Sequence, residues 1–67
     1  MISITVNGEQ HPLERTLSCS ELLQRLDLAG RRVALERNGE IVPRSRLPEQ
    51  VLADGDRIEI VVAVGGG

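Results

Sequence analysis

Only one stretch of this chain has the spacing of an amphipathic helix, and strand-like stretches flank it on both sides. Ser18 and Glu21 form an S-x-x-E capping box, in which each side chain satisfies an amide that the first helical turn leaves unpaired. Leu17 before the cap and Leu22 after it are placed to close a hydrophobic staple. Cys19, Leu22, Leu23 and Leu26 recur at helical spacing and make one apolar stripe, and Gly30 supplies a stop signal shortly after Leu28. A single helix with a single apolar face can cover one side of a sheet and no more. The other sheet face must meet water or another molecule.

The flanking stretches say which sheet. Ile2, Ile4 and Val6 alternate with Ser3 and Thr5, the period-two pattern of a strand with one buried face. Asn7-Gly8 then suits a type I′ turn, and a second strand spans Glu9 to Leu13. Pro12 cannot donate to a ladder, so that strand belongs at a sheet edge. After the helix, Val33 to Arg37 and Glu40 to Val42 read as strands joined by a second such turn, Asn38-Gly39. Pro43 forces an exit into a loop over 44–48, with one helical turn expected near Pro48 to Val51. Asp54-Gly55-Asp56 is a tight turn. The last strand runs from Arg57 to Val62, with Ile58, Ile60 and Val62 inward and Arg57, Glu59 and Val61 outward. The order β-β-α-β-β-β suits an α+β β-grasp fold: a mixed sheet of four to five strands, the first and last parallel at its centre, with one main helix on one face.

Size narrows what such a body can do. Sixty-seven residues make one domain, and a chain of this size buries only ~60% of the surface its unfolded form exposes. It has too little wall for a deep substrate cavity, which argues against an enzyme. Phe, Tyr and Trp are all absent, so no platform exists for stacking bases. A net charge of −2 lacks the electrostatic footprint of a nucleic-acid binder. No apolar run approaches the ~18–20 residues of a membrane span, and the N-terminus does not read as a signal peptide. With one cysteine no internal disulfide can form, which fits a reducing, cytoplasmic setting. All eight cations are arginine. That leaves no ε-amine on the chain for an activated C-terminus to acylate, although a coding bias toward arginine explains the composition as well.

Few side chains are arranged for chemistry. Cys19 could gain nucleophilicity at a helix N-terminus, but its place on the apolar stripe reads as core. His11 has no Cys or His partner at ligand spacing and reads as a surface residue of an edge strand, so no metal site is expected. Asp54 and Asp56 flank a turn glycine and read as turn formers rather than an acid–base pair. What remains is the chain's end, Gly65-Gly66-Gly67. Glycine costs the most backbone entropy to order, so the expectation is an extended, mobile tail reaching about 10 Å past its anchor. The Gly67 carboxylate, ionised at neutral pH, is already exposed as the chain is written. To accept a nucleophile it must first be activated. Attack on the α-phosphate of ATP would give an acyl-adenylate, and a sulfide donor could then displace adenylate to leave a thiocarboxylate.

Several segments together resemble the ThiS family, the small sulfur carriers of thiamine biosynthesis, over essentially the whole chain. They are Val6-Asn7-Gly8-Glu9, the capped helix from Leu17 to Leu28, and Gly30-Arg31-Arg32-Val33-Ala34. Further on come Asn38-Gly39-Glu40-Ile41-Val42-Pro43-Arg44-Ser45, the run from Leu52 to Val61, and Ala63-Val64-Gly65-Gly66-Gly67. A terminal Gly-Gly alone is a weak signal; the combination is specific. The resemblance implies a ubiquitin-like β-grasp domain over 1–64 with a flexible tail over 65–67. It implies adenylation of Gly67 by an E1-like adenylyltransferase using ATP with Mg, and conversion to a thiocarboxylate by way of a cysteine desulfurase-type or rhodanese-type sulfur donor. Delivery of the sulfur to a thiazole synthase follows. On this reading the chain is a carrier and co-substrate, with no bound cofactor, no nucleic acid and no membrane. Gly65 and Gly66 thread into the partner's active site. Val42 and Val61, both read as outward-facing, dock on the partner with Arg44, Ala63 and Val64, and Arg46 adds charge. Two alternatives stay open: a carrier for molybdopterin synthesis, and a ubiquitin-like modifier of proteins.

Overall fold

Two turns of the same chemistry shape the sheet. In the computed structural model, which describes residues 1–63, Asn7 and Asn38 have φ of 50° and 52°, and Gly8 and Gly39 follow at 85° and 88°. Both central residues of each turn therefore sit in the left-handed region that a type I′ hairpin requires. The first turn joins β1 (Ile2–Val6) to β2 (Glu9–Leu13), and the second joins β3 (Val33–Arg37) to β4 (Glu40–Val42). The final strand, β5 (Arg57–Val62), lies between the two hairpins, giving the order β2-β1-β5-β3-β4.

β5 runs parallel to β1, with Thr5 opposite Arg57 and Val6 opposite Ile58. It runs antiparallel to β3 over the whole length of that strand, from Val33 opposite Val62 to Arg37 opposite Ile58. Pro12 lies in β2 at the sheet edge, where its missing N–H costs no ladder bond. The parallel central pair and the single covering helix define the β-grasp arrangement that the strand pattern predicts.

The helix is shorter than its sequence pattern. α1 spans Cys19–Arg25, with the Ser18–Glu21 capping box formed in both directions. It ends at Leu26, four residues before Gly30, because Asp27 takes the left-handed conformation at φ 64°. The Leu28 N–H then donates to the Leu23 carbonyl at 2.8 Å and the Asp27 N–H to the Gln24 carbonyl at 3.0 Å, the paired bonds of a Schellman ending. Burial drives this early stop. Turning the chain at Asp27 packs Leu28 against the core, where Leu23 is already buried.

The loop after β4 also differs from expectation. Its 3₁₀ turn spans Arg44–Arg46, set by Pro43 at φ −59° immediately before it and earlier than the turn expected near Pro48 to Val51. The chain goes on turning through Glu49, with the Glu49 and Gln50 N–H groups both donating to the Arg46 carbonyl, at 2.9 and 3.0 Å. Val51 instead bridges to Ser18, and the Cys19 N–H donates to the Gln50 carbonyl at 2.8 Å, which ties this loop to the helix start.

The core lies between α1 and the inner sheet face. Ile4, Val6, Leu13, Leu35, Ile58 and Ile60 come from the strands, Cys19, Leu22 and Leu23 from the helix, and Leu17, Leu47 and Leu52 from connections. Leu17 and Leu22 are both buried, as a staple requires. His11 lies opposite Ile4 in the β1–β2 register and is half-buried, so it faces the core side of the edge strand and not open solvent.

Candidate docking surface and the root of the tail

β5 carries the chain toward its end, so what holds β5 decides where the following residues begin. Asparagine side chains from both hairpins clamp it. At the end of β1, Asn7 Oδ1 accepts the Ile60 N–H at 2.8 Å and Asn7 Nδ2 donates to the Ile60 carbonyl at 3.1 Å. The carboxamide thus acts as one more peptide unit and prolongs the parallel ladder two residues beyond Ile58, whose carbonyl accepts the Asn7 backbone N–H. At the end of β3, Asn38 Oδ1 accepts the Arg57 N–H at 2.8 Å, and its own N–H donates to the Arg57 carbonyl. Beyond β5, the Ala63 N–H donates to the Arg32 carbonyl at 2.9 Å. The strand is thereby held along its length up to Ala63.

A buried carboxylate supports the clamp. Asp56 is 6% exposed and accepts from Arg37 Nε and the Ala53 N–H, both at 2.8 Å, and from Asn38 Nδ2 at 3.0 Å. Arg37 reaches Gln50 Oε1 as well, at 3.0 Å. Burial pushes the Asp56 carboxyl up. The hydrogen bonds from Ala53 and Asn38 and the Arg37 guanidinium outweigh it, so the net shift is downward. The turn reading of Asp54-Gly55-Asp56 holds, with Gly55 at φ 87° and Asp54 Oδ1 accepting the Ser3 N–H at 2.7 Å. The Asp56 hub is not legible from the sequence, because its two side-chain donors, Asn38 and Arg37, lie 18 and 19 residues away. The recurrence of Asn-Gly was the one available hint: both asparagines do more than turn the chain.

Cys19 is fully buried and its thiol is pushed up by desolvation, so it packs as core and is not an activated nucleophile. Among the described residues no group of three or more His, Cys, Asp or Glu side chains is placed to hold a metal ion, and no helix is long and apolar enough to cross a membrane.

The residues named for docking separate into two places. Arg44, Val61 and Ala63 come together with Arg32, Val33 and Ala34 around a groove of about 350 Å³ at the end of β5. Val61 is 65% exposed there and stands opposite Ala34 on the uncovered sheet face. Val42 does not face outward. It pairs with buried Leu35 and packs against the core, because register places directly opposed residues on one face. Its neighbour Ile41, opposite Glu36, is the exposed apolar side chain of β4, at 68%. A shift of one position in a short strand reverses every side chain. Arg46 borders a different groove, with Arg37, Ile41 and Val42. Val64, Gly65, Gly66 and Gly67, and the expectations attached to them, lie outside the described residues.

Fold and surface together define a ubiquitin-like β-grasp protein. The sequence model of the ThiS family matches residues 4–67. The sulfur carrier protein ThiS of Bacillus subtilis (strain 168) is 44% identical over 65 residues, covering 96% of this chain and 98% of that protein. The crystal structure of a thiamine biosynthesis protein (ThiS) from Geobacter metallireducens superposes with a TM-score of 0.84 at 33% identity, over 98% of this chain and 100% of that one. A thiazole synthase of Paramagnetospirillum magneticum is 39% identical over 66 residues; the match takes in 98% of this chain, which spans only 20% of that protein's length. The chain belongs to the ThiS family, the sulfur carriers of thiamine biosynthesis.

Proposed function

We propose that the chain carries sulfur as a thiocarboxylate on Gly67. The carboxylate attacks the α-phosphate of Mg-ATP on an E1-like adenylyltransferase and releases pyrophosphate. The persulfide of a desulfurase-type or rhodanese-type donor then displaces adenylate, and a thiol reductant cleaves the resulting acyl disulfide to leave the thiocarboxylate and a disulfide. The product gives its sulfur to a thiazole synthase. The observation that carries this reading is the held β5, fixed on both sides and again at Ala63, with four residues following in the sequence. A held strand presents the residues after it from a defined point, as a substrate segment entering another protein's active site requires. Gly65 and Gly66 remove side-chain bulk along that path, and Val61, Ala63 and Arg44 contact the partner's rim.

Thiazole synthase is favoured over a molybdopterin synthase as acceptor because a sequence 39% identical to this chain forms part of a thiazole synthase. Incubation with the activating enzyme, ATP and a sulfide source should raise the intact mass by one oxygen-for-sulfur exchange. No exchange, with the enzyme active on another carrier, would sink the proposal. Deleting Gly67 should abolish the exchange while leaving thermal unfolding unchanged.

A further inference from the structure

The chain as a whole is acidic, with ten carboxylates against eight guanidiniums, but at the end of β5 the balance inverts. The groove there is lined by Arg32, Val33, Ala34, Arg44, Val61 and Ala63, with no carboxylate among them. The adjoining depression, which shares Val33 and Arg44, adds Arg31, Leu28, Ala29 and Gly30 and again no carboxylate. One backbone hydrogen bond and one side-chain contact bring the three arginines to the end of β5. The Arg32 carbonyl accepts the Ala63 N–H, and Arg44 Nη2 lies 3.5 Å from the Arg31 carbonyl. All three side chains are exposed, and the one ion pair among the described residues uses Arg37.

Clustered like charges repel one another in the free chain, and a partner carrying the opposite charge relieves that repulsion. Between the arginines the floor is apolar, formed by Val61, Ala34 and Ala63. We propose that Arg31, Arg32 and Arg44 form a cationic collar that docks on a protein surface in which carboxylates ring an apolar contact, at the mouth that receives the chain's end. The inference rests on the carrier reading and deepens it by giving the charge pattern of the partner's rim. Rim charges act mainly on association rate, and their effect fades as the Debye length shrinks with salt.

The test measures association with the E1-like adenylyltransferase by surface-immobilised kinetics. The double reversal Arg32→Glu/Arg44→Glu is compared with Arg15→Glu/Arg25→Glu, which makes the same charge change beside Glu21 in a separate groove that shares no residue with the collar. The collar predicts a loss of about tenfold or more in association rate at low salt for the first pair and less than about twofold for the second. It also predicts that the wild-type rate falls with added salt and that the collar variant loses this dependence. All four positions are exposed, so both variants should fold, as far-ultraviolet circular dichroism would verify. Equal losses for the two pairs, or a salt-independent wild-type rate, would overturn the collar alone. A wild-type chain that does not bind the enzyme would overturn the carrier reading and the collar with it. Single-stranded RNA binding the wild type as tightly as the enzyme does would make the collar a general anion surface and end the proposal.

Discussion

Replacing Asp56 by alanine would leave the Arg37 guanidinium, the Asn38 carboxamide and the Ala53 N–H without their common acceptor. An unpartnered buried donor costs about 1–3 kcal/mol, more when charged, so a loss of about 2–4 kcal/mol is expected. A domain of this length has only about 3–10 kcal/mol in total. The chain lacks tryptophan and tyrosine, so urea unfolding is best followed by circular dichroism, and the midpoint should fall sharply. The same carboxylate sets an acid limit. Its pKa is lowered by folding, so between the folded value and the ordinary 3.8 the unfolded chain binds more protons. Asp56 therefore contributes stability that is fully present above that ordinary value and is lost as pH falls through the folded one. Glu21, lowered chiefly by the Ser18 amide, acts in the same direction. Melting temperature measured against pH should drop in acid, and Asp56→Asn should flatten that drop. A profile unchanged by the substitution would show that the hub does not govern it.

At the scale of elements, the end of α1 and the clamp on β5 make opposite predictions. Asp27 holds a left-handed conformation that costs a side-chain-bearing residue strain which glycine avoids. Asp27→Gly should therefore stabilise the domain by about 0.5–1 kcal/mol, a melting point several degrees higher, despite the extra freedom given to the unfolded chain. Asn7→Ala removes both bonds to Ile60 and should cost about 1–2 kcal/mol. Its particular signature is local: hydrogen exchange at the Ile60 amide should accelerate more than that at Leu35, in the core of β3. Uniform acceleration would mean that Asn7 stabilises the fold without specially holding β5. The strands themselves were legible residue by residue, because alternation and Asn-Gly turns are local chemistry. The helix end was not. Gly30 is the better intrinsic stop, but burying Leu28 against the core favours a turn at Asp27.

For the whole molecule, the buried thiol reports on cooperativity. Cys19 is fully buried and its thiol pKa is raised, so the native chain should resist alkylation by iodoacetamide at neutral pH. Its labelling rate should climb with urea in parallel with the loss of ellipticity; labelling at the rate of a free peptide thiol in native buffer would contradict the burial. The core around it accounts for what sequence alone determined. One capped helix, two I′ hairpins and a last strand with one apolar face admit few arrangements, and the β-grasp fold satisfies them all. The same reading placed Val61 on the outward face, where it is exposed. Only the tertiary structure decided which of Ile41 and Val42 faces out, since a three-residue strand with two adjacent apolar side chains has no alternation to read. It alone gathered Arg31, Arg32 and Arg44 beside Ala63, and Asp56 beneath Arg37 and Asn38. Periodicity records which way a side chain points along its own element. It does not record which distant residue it meets, because that depends on how strands far apart in sequence come to pair.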